Sequence, residues 1–262
     1  MTAPLLEISD LSLRYGDAKI LNRVNLAVAA GETVGLVGES GSGKSSTVRA
    51  ALRLLPTSAS LEGSVRIGGR DVLGVDEREL RSIRADEVAL IQQDPRGALN
   101  PVRRIGDSLT ERLVRVHGER SVDAKRRGLE LLEAVGISRP EHRFRQYPHE
   151  LSGGMLQRVV IAAALTTRPK LLLADEATSA LDVTTQAEVL AILRDQQQER
   201  GLGVLFITHD LHLAAAYCDR VYVMLRGEVV EELSGANLFA GASDPYTRLL
   251  LEAVPTIREE TT

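Results

Sequence analysis

The amino-acid sequence predicts an α/β fold built around a mainly parallel sheet. Apolar runs without polar interruption, at 171–174 and 203–207, are typical of strands that are buried on both faces. Segments with apolar residues at helical spacing, such as 184–200, alternate with these runs. A glycine-rich loop at 38–45 also joins a predicted strand to a predicted helix. Together these observations favour a sheet that is covered by helices on both sides.

The N-terminal part of the chain is predicted to be an antiparallel β region. Alternating apolar residues at 6–15 and an apolar stretch at 23–38 indicate strands, and "GSVRIGGRDV" at 63–72 is typical of a hairpin. The helix after the glycine-rich loop is expected to end before Pro56. The segment "EVALIQQ", at 87–93, indicates one more strand.

The middle of the chain changes to a helical pattern. From about residue 100 to residue 168, apolar residues recur at helical spacing, which predicts an inserted helical subdomain. Strands and helices alternate again from residue 169. We therefore expect a single domain over 1–262, in which about 1–99 and 169–262 form the core and about 100–168 form the subdomain.

Composition excludes several classes of protein. Hydrophobic residues make up 44% and charged residues 26% of the 262 residues, which is ordinary for a globular protein with a buried core. The N-terminus lacks the pattern of a secretory signal, and no apolar run has the roughly 18 residues that a membrane span needs. The single cysteine, Cys218, excludes an internal disulfide, fits a reducing cytoplasm and is expected to be a buried thiol.

The charge of the chain argues weakly against nucleic-acid binding. The formal net charge is −4, although the middle of the chain is locally basic. No aromatic residues are interleaved there for base stacking, so solvated helix faces are the preferred interpretation. The basic residues in question are Arg103, Arg104, Arg112, Arg115, Lys125, Arg126 and Arg127.

The segment "GESGSGKS" matches the phosphate-binding pattern G-x-x-x-x-G-K-[ST] at every fixed position, and the predicted fold is therefore that of a P-loop NTPase. Glycines let backbone N–H groups approach phosphate oxygens, and the helix N-terminus adds a partial positive charge. Lys44 is expected to contact the β- and γ-phosphates of a nucleotide and to act in catalysis, and Ser45 to bind Mg²⁺. A glycine-rich turn with an exposed lysine is the alternative, and the flanking strand and helix disfavour it. The predicted nucleotide-binding residues of this segment are Gly38, Glu39, Ser40, Gly41, Ser42, Gly43, Lys44, Ser45 and Ser46.

Two adjacent carboxylates, Asp175 and Glu176, end the apolar run "LLLADE". Asp175 is the expected acidic partner of the Mg²⁺ site beside the P-loop. Successive side chains of an extended chain point in opposite directions, so Glu176 is expected to have another role, as the base for a water that attacks the γ-phosphate. Acidic residues after a strand also commonly cap a helix, and only the P-loop disfavours that alternative.

His209 and the pair Gln92 and Gln93 each follow a predicted strand, which is where open α/β sheets bind their ligands. We expect His209 to contact the γ-phosphate rather than to be only structural. A neutral amide after "EVALI" can hold water or a metal ion. Taken alone, either glutamine would be an ordinary strand end.

The segment "LSGGMLQR", at 151–158, places a serine and two glycines before an apolar run that predicts a helix. Together with "GESGSGKS", "QQDP", "LLLADE", "SALD" and "THD", it resembles the nucleotide-binding subunit of an ATP-binding-cassette (ABC) transporter. The resemblance covers nearly the whole chain. Its most specific part is the Ser-Gly-Gly turn, because ordinary P-loop ATPases lack it; alone it would be a plain helix cap.

This resemblance implies ATP and Mg²⁺ as cofactors and a head-to-tail pair of ATPase subunits. In such a pair, Ser152, Gly153 and Gly154 of one subunit contact the γ-phosphate of the nucleotide that the other subunit's P-loop binds.

Three further roles follow from the resemblance alone. Tyr15 corresponds to the aromatic platform for adenine, although a tyrosine at a strand end is often simply packed. Gln93 corresponds to the glutamine that binds the metal ion and takes part in catalysis. Asp182 lies in the loop that contacts the partner ATPase subunit.

The partners implied are two transmembrane permease subunits, a second ATPase subunit and, indirectly, an extracytoplasmic solute-binding protein. The permeases would dock on residues 94–101 and on the helical subdomain. The second ATPase subunit would be another copy or a related chain. The resemblance places the protein at the cytoplasmic face of the cell membrane, peripherally, without nucleic acid as a partner.

The segments "QQDPRGALNP", "QYPHELSGGMLQR" and "DPYTRLLLEAVP" resemble importers for di- and oligopeptides and for nickel or metal chelates. Many peptide members are longer and carry cysteines near the C-terminus, so the nickel or metal-chelate subgroup is slightly favoured. Ala177 replaces a proline that is common after the acidic pair, and we expect this change to be tolerated. The sequence does not determine the solute.

A second class of function stays open, that of a non-transport ABC ATPase acting on ribosomes or DNA. Such proteins usually have a second cassette, a long coiled-coil insertion or zinc-binding cysteines, and the sequence has none of these. An exporter subunit would more often be fused to membrane helices. An ATPase that drives an importer is therefore the preferred function.

Overall fold

The strands and helices are taken from a computed structural model that describes residues 3–179 and 181–254. The strands, in chain order, are β1 (Leu6–Tyr15), β2 (Ala18–Val28), β3 (Thr33–Val37), β4 (Ala59–Ile67), β5 (Arg70–Asp71), β6 (Val88–Ile91), β7 (Leu171–Asp175), β8 (Gly203–Ile207), β9 (Arg220–Leu225) and β10 (Glu228–Ser234). The helices are α1 (Lys44–Ala51), α2 (Glu77–Ser82), α3 (Pro95–Ala98), α4 (Ile105–Arg115), α5 (Ser121–Ala134), α6 (Pro140–Phe144), α7 (Gly153–Thr166), α8 (Val183–Arg200), α9 (Leu211–Tyr217) and α10 (Pro245–Glu252).

The larger of two sheets has six strands in the order β10-β9-β3-β8-β7-β6. Neighbouring strands from β9 to β6 are parallel, and β10 pairs antiparallel with β9. Every residue of β3, β7 and β8 is buried, which is why their sequences are apolar without alternation. The predicted mainly parallel sheet is confirmed.

The smaller sheet is antiparallel, with the order β2-β1-β4-β5. The hairpin predicted at 63–72 is present, since Ile67 of β4 pairs with Arg70 of β5. Apolar residues of this sheet share one buried core with α1 and with one face of the larger sheet. This core fixes the start of α1 against both sheets.

Helices α4 to α7 lie between β6 and β7 in the chain and pack against one another. Buried residues such as Ile105 of α4, Leu132 of α5 and Ile161 of α7 belong to an apolar core that continues onto the larger sheet. The helical pattern predicted for the middle of the chain is therefore confirmed as helices.

Helix α1 ends at Ala51, so it is shorter than the predicted helix, which was expected to continue up to Pro56. Arg53 has a φ of 50°, which ends the right-handed helical path. The guanidinium of Arg84 donates to the carbonyl oxygens of Leu52, at 2.9 Å, and of Arg53, at 3.1 Å. A side chain from another segment thus supplies hydrogen-bond donors for the carbonyl groups at the end of the helix. The local sequence could not indicate this.

Two arginines of the basic middle segment are structural. Arg112 donates to the carbonyl oxygens of Arg84 and Ala85, and Arg127 donates to that of Thr166 at 3.2 Å. Burial lowers the pKa of Arg112. The interpretation as solvated helix faces is wrong for these two residues, because both side chains are partly buried and donate to backbone carbonyls of other segments.

Cys218 directly follows α9 and is only 6% exposed. Burial, together with nearby Asp219, raises the pKa of its thiol to about 12, as expected for a packed cysteine rather than a metal ligand. Within residues 3–179 and 181–254, no helix combines the length and the apolar character that crossing a bilayer requires.

Candidate functional site

The predicted catalytic residues follow neighbouring strands at one edge of the larger sheet. Because β3, β8, β7 and β6 are adjacent in that order and parallel, their carboxyl ends lie side by side. Loop 38–45 follows β3, His209 follows β8, Asp175 and Glu176 lie at the end of β7, and Gln93 follows β6. This edge is where open parallel sheets bind ligands.

Lys44, the first residue of α1, is 7% exposed. Its ammonium group donates to the carbonyl oxygens of Gly38 and Glu39, each at 2.7 Å, and lies 3.5 Å from Ser42 Oγ. Burial lowers the pKa of Lys44, and nearby carboxylates oppose that shift. The alternative of an exposed lysine on a plain turn is therefore wrong, since loop oxygens surround the ammonium group.

Two glycines allow the loop to close around this ammonium group. Gly38 has a φ of 145°, and a Cβ there would lie 2.2 Å from the carbonyl oxygen of Met224. Gly43 has a φ of 109° where α1 begins, and a Cβ there would lie 2.8 Å from Leu21 Cδ2. Both positions require glycine for backbone conformation and for space. Of the remaining loop residues, Glu39, Ser40 and Gly41 are exposed, Ser42 is buried, and Ser45 and Ser46 are partly buried.

Ser45 and Asp175 are joined by a hydrogen bond, in which Ser45 Oγ donates to Asp175 Oδ1 at 3.0 Å. Burial raises the pKa of the Asp175 carboxyl, and the bond from Ser45 opposes that rise. Hydroxyl and carboxylate oxygens fit Mg²⁺, which prefers oxygen ligands. Across the described residues no group of three or more His, Cys, Asp and Glu side chains could hold a metal ion. A cation here would therefore need further oxygens, such as those of a nucleotide or water.

Glu176 contacts a different set of residues from Asp175. Gln93 Nε2 donates to Glu176 Oε2 at 2.8 Å, and His209 Nδ1 lies 3.7 Å from the same oxygen. The divergence of the two carboxylates was expected, but its expected cause, an extended chain, is wrong. Glu176 has a φ of 49°, so a left-handed turn at this residue separates the two side chains.

Ser152 precedes α7 and caps it, with its Oγ accepting a backbone N–H of the first turn at 3.3 Å. Ser152 and Gly153 are exposed, and a Cβ on Gly153 would meet no atom within 4 Å. Ser152 and Gly154 line one cleft together with Asp182, whereas 39–42 line another. The described part of the chain therefore holds the Ser-Gly-Gly turn and the P-loop in separate clefts.

Asp182 caps α8 and is linked to α7 through Thr185. It accepts hydrogen bonds from the Thr185 N–H, at 3.0 Å, and from Thr185 Oγ1, at 2.7 Å, and these bonds lower the pKa of its carboxyl. Arg158 of α7 donates both to Thr185 Oγ1 and to the carbonyl oxygen of Gly136, the latter at 2.9 Å. Ala180, part of the "SALD" match, lies outside the described residues.

Tyr15 is the last residue of β1. It is half-buried and packs against the core that lies between the two sheets. Packing therefore accounts for its position, and its role as a platform for adenine stays a prediction.

Tyr246, in the first turn of α10, is a neighbour of the P-loop that no local pattern indicates. The backbone N–H of Glu39 donates to Tyr246 Oη at 3.1 Å, across 207 positions of sequence. Tyr246 lies in the segment "DPYTRLLLEAVP", which resembles the peptide and metal-chelate importers but does not indicate this contact. A contact over this separation depends on tertiary packing.

Comparison with known proteins places the chain in a family. The family model described as ABC transporter matches residues 21–179. The oligopeptide transport ATP-binding protein OppD of Salmonella typhimurium is 43% identical over 260 residues, which cover 98% of this chain and 78% of that protein. A probable peptide ABC transporter ATP-binding protein of Sinorhizobium fredii is 46% identical over 97% of this chain and 78% of its own length.

Solved structures give the same result for the fold. The dimeric structure of a post-hydrolysis state of the ATP-binding cassette MJ0796, bound to ADP and Pi, has a TM-score of 0.78 and is 30% identical. The match covers 87% of this chain and 98% of that chain. The chain therefore belongs to the ABC transporter family. Within this family it is an ATP-binding, ATP-hydrolysing subunit that drives transport, with the fold of a P-loop NTPase.

Proposed function

We propose that this chain energises the import of peptides, from a peripheral position at the cytoplasmic face of the membrane. The observation that carries its ATP-hydrolysing part is the meeting of Ser45 with Asp175, and of Glu176 with Gln93 and His209, at one edge of the parallel sheet. Both relatives named above have a peptide or oligopeptide transporter in their names. They favour peptides over the nickel or metal chelates that the sequence alone slightly favoured, and the nickel prediction has no support from them.

ATP is proposed to bind with its β- and γ-phosphates on loop 38–45. The loop supplies backbone N–H groups, and the buried Lys44 supplies a positive charge whose hydrogen bonds go to the carbonyl oxygens of Gly38 and Glu39. Ser45, Asp175 and the amide oxygen of Gln93 are the groups that would hold Mg²⁺. Bound there, Mg²⁺ would neutralise negative charge on the phosphates during phosphoryl transfer.

Glu176 is proposed as the base that accepts a proton from the attacking water. Its carboxylate is only 20% exposed, and one of its oxygens accepts a hydrogen bond from Gln93 and lies 3.7 Å from His209 Nδ1. These contacts orient the carboxylate, and His209 is 68% exposed and thus free to reach the γ-phosphate. Gln93 would report the state of this site to residues 94–101, which follow it directly.

The complete ATP site is proposed to form between two subunits arranged head to tail. The separate clefts of Ser152 and of 39–42 support this arrangement, because the Ser-Gly-Gly turn of the chain does not line the cleft of its own P-loop. The exposed Ser152, Gly153 and partly exposed Gly154 lie at the N-terminus of the 14-residue helix α7, which favours a negative charge. Asp182, on the same cleft, would contact the partner subunit. The related cassette MJ0796 is dimeric in its solved structure.

Two permease subunits are the proposed membrane partners. A cleft of about 350 Å³ lies between the end of α1, β6, α3 and α4, with Leu54, Leu90, Ala98 and Arg112 among its lining residues. Leu54 is 43% exposed, so the cleft presents apolar surface. It adjoins residues 94–101, where a short helix of a permease would dock. The solute-binding protein would contact only the permeases.

The chain is proposed to be one ABC ATPase domain. Its nucleotide-binding core would comprise about 1–99 and 169–262, and its helical subdomain about 100–168. The packing of α4, α5 and α7 on one another supports this division. The last residues of the core, 255–262, lie outside the described residues.

The test of this function uses Glu176→Gln, with Glu199→Gln on the exposed side of α8 as the matched control. Glu176→Gln is expected to bind ATP like the native protein and to lose turnover by about 10²–10⁴-fold, because general-base catalysis contributes that much. The control is expected to hydrolyse ATP at the native rate. Undiminished hydrolysis by Glu176→Gln would refute its role as the base.

The same variant identifies the partners. Tagged Glu176→Gln protein, solubilised in detergent with ATP and Mg²⁺, is expected to retain two multi-span membrane proteins that mass spectrometry can name. The solute-binding protein encoded with those permeases can then be assayed for peptides and for nickel. Recovery of ribosomal or DNA-repair proteins without a permease would support the non-transport alternative instead.

A further inference from the structure

We propose that Tyr246 is a positioning residue for the P-loop, through which the segment after β10 sets the affinity for ATP. This inference rests on the proposed binding of phosphates by loop 38–45. The observation behind it is the hydrogen bond from the Glu39 N–H to Tyr246 Oη at 3.1 Å. No role in the proposed catalysis accounts for this contact.

The peptide unit between Gly38 and Glu39 is held at both of its polar atoms. The carbonyl oxygen of Gly38 accepts a hydrogen bond from the Lys44 ammonium at 2.7 Å, and the N–H of Glu39 donates to Tyr246. Gly38 has a φ of 145° and little intrinsic preference for one backbone conformation, so this peptide unit could otherwise rotate. The phenol therefore fixes the same peptide unit that positions the buried ammonium group.

The next atoms along the chain belong to the same arrangement. The Glu39 carbonyl oxygen accepts hydrogen bonds from the Lys44 ammonium, at 2.7 Å, and from the Ser42 N–H, at 3.2 Å. Release of the Glu39 N–H would thus disturb two carbonyl partners of Lys44. The expected result is a less ordered loop that must be reordered when phosphate binds.

Tyr246 is itself held in place from the edge of the larger sheet. Glu231 of β10 accepts hydrogen bonds from the Ser243 N–H, at 2.7 Å, from Ser243 Oγ and from the Asp244 N–H, at 3.3 Å. Asp244 in turn caps α10 by accepting from the Tyr246 N–H at 2.8 Å. A continuous series of hydrogen bonds thus leads from β10 to the P-loop.

The hydroxyl of Tyr246 can be tested separately from its ring. The ring packs against the main apolar core, so Tyr246→Phe keeps that packing and removes only the acceptor. Tyr222→Phe is the matched control, because its hydroxyl accepts from Arg220 at 2.9 Å and from the Ala27 N–H at 3.4 Å, away from the loop.

KM for ATP and kcat are measured for each variant of the full chain. The affinity for ATP is measured for the same variants in the Glu176→Gln background, which is expected to bind ATP without hydrolysing it. Tyr246→Phe is expected to raise KM and to weaken binding by about threefold to tenfold, the usual effect of one hydrogen bond, with kcat changed less than about twofold. Tyr222→Phe is expected to leave KM unchanged. A lower kcat with the native KM in Tyr246→Phe would instead indicate a loss of folded protein and would overturn the proposal.

A second pair of variants separates this proposal from the one on which it rests. Glu231→Gln weakens the anchor of α10 and is expected to raise KM, but to add little to the effect of Tyr246→Phe in the double variant, because both act through one contact. Full additivity of the two effects would contradict the proposed series of hydrogen bonds.

Lys44→Ala tests the loop itself: native ATP affinity in that variant would refute phosphate binding by 38–45. If Lys44→Ala loses ATP and Tyr246→Phe keeps native KM, only the role of Tyr246 is refuted.

Discussion

Among the glycines of the P-loop, Gly38 leaves the least space for a Cβ, because the backbone of Met224 lies against it. Its φ of 145° is unfavourable for residues with a Cβ, and a Cβ there would lie 2.2 Å from the Met224 carbonyl oxygen. Gly41, three positions later, has a φ of 81° but would meet no atom within 4 Å if it carried a Cβ. An alanine at Gly41 would therefore be disfavoured by backbone conformation alone, whereas an alanine at Gly38 would also clash with backbone.

Gly38→Ala is expected to lower the free energy of unfolding by about 2–4 kcal/mol, because it combines a left-handed alanine with a clash against backbone. Gly41→Ala is expected to cost only about 1–2 kcal/mol, from the backbone conformation alone. Urea unfolding followed by circular dichroism measures both values. Equal losses in the two variants would show that the Met224 carbonyl moves away at little cost.

At the scale of elements, α7 joins the Ser-Gly-Gly turn to the rest of the molecule. Its residue Arg158 is 20% exposed and donates to the Gly136 carbonyl oxygen at 2.9 Å and to Thr185 Oγ1 on α8. Thr185 is also bonded to Asp182, so the guanidinium connects α7, the turn after α5 and the cap of α8. The relative positions of Ser152 and Asp182 depend on this connection.

Arg158→Lys is expected to lower the free energy of unfolding by about 1–3 kcal/mol, since an ammonium group cannot reproduce the fork of donors that a guanidinium offers. Arg126→Lys on α5 is the control: its side chain is 71% exposed and, among the described residues, pairs with the carboxylates of Asp123 and Glu130. Its change should stay within about 0.5 kcal/mol. Thermal unfolding of both variants, scanned in parallel, makes the comparison. If the free energy of unfolding changes no more in Arg158→Lys than in the control, the connection between α7 and α8 depends on other residues.

At the scale of the whole molecule, the two proposed halves of the ATP site lie in different clefts of one chain. The P-loop half contains 39–42, and the other half contains Ser152 and Asp182. If the halves act across a head-to-tail dimer, a subunit with a defective P-loop and a subunit with a defective Ser-Gly-Gly turn should together form one intact ATP site.

An equimolar mixture of Lys44→Ala and Ser152→Arg is expected to recover ATP hydrolysis that neither variant has alone. About half of randomly formed dimers would contain both variants, each with one intact composite site, so the recovered rate should be about a quarter of the native rate. The ATPase rate is measured against the mixing ratio at concentrations that favour dimers. An inactive mixture, with dimers present by size-exclusion chromatography, would show that the Ser-Gly-Gly turn acts within its own chain.

Much of the fold could be predicted from the sequence, because buried strands, helical periodicity and the P-loop pattern are local. The end of α1 could not, since the Arg84 side chain that caps it comes from another element. The divergence of Asp175 and Glu176 was predicted for the wrong reason, because the left-handed turn at Glu176 has no local signature in a non-glycine residue.

The sequence by itself determined the class of this protein and most residues of the candidate site. It did so because phosphate and metal chemistry require particular residue types at fixed short spacings, such as those in "GESGSGKS" and "LLLADE". Only the tertiary structure decided which distant residues meet: Gln93 and His209 at Glu176, Arg158 at Thr185, and Tyr246 at Glu39. These contacts join segments that are far apart in the chain, and their geometry depends on how the sheet and helices pack rather than on any local pattern.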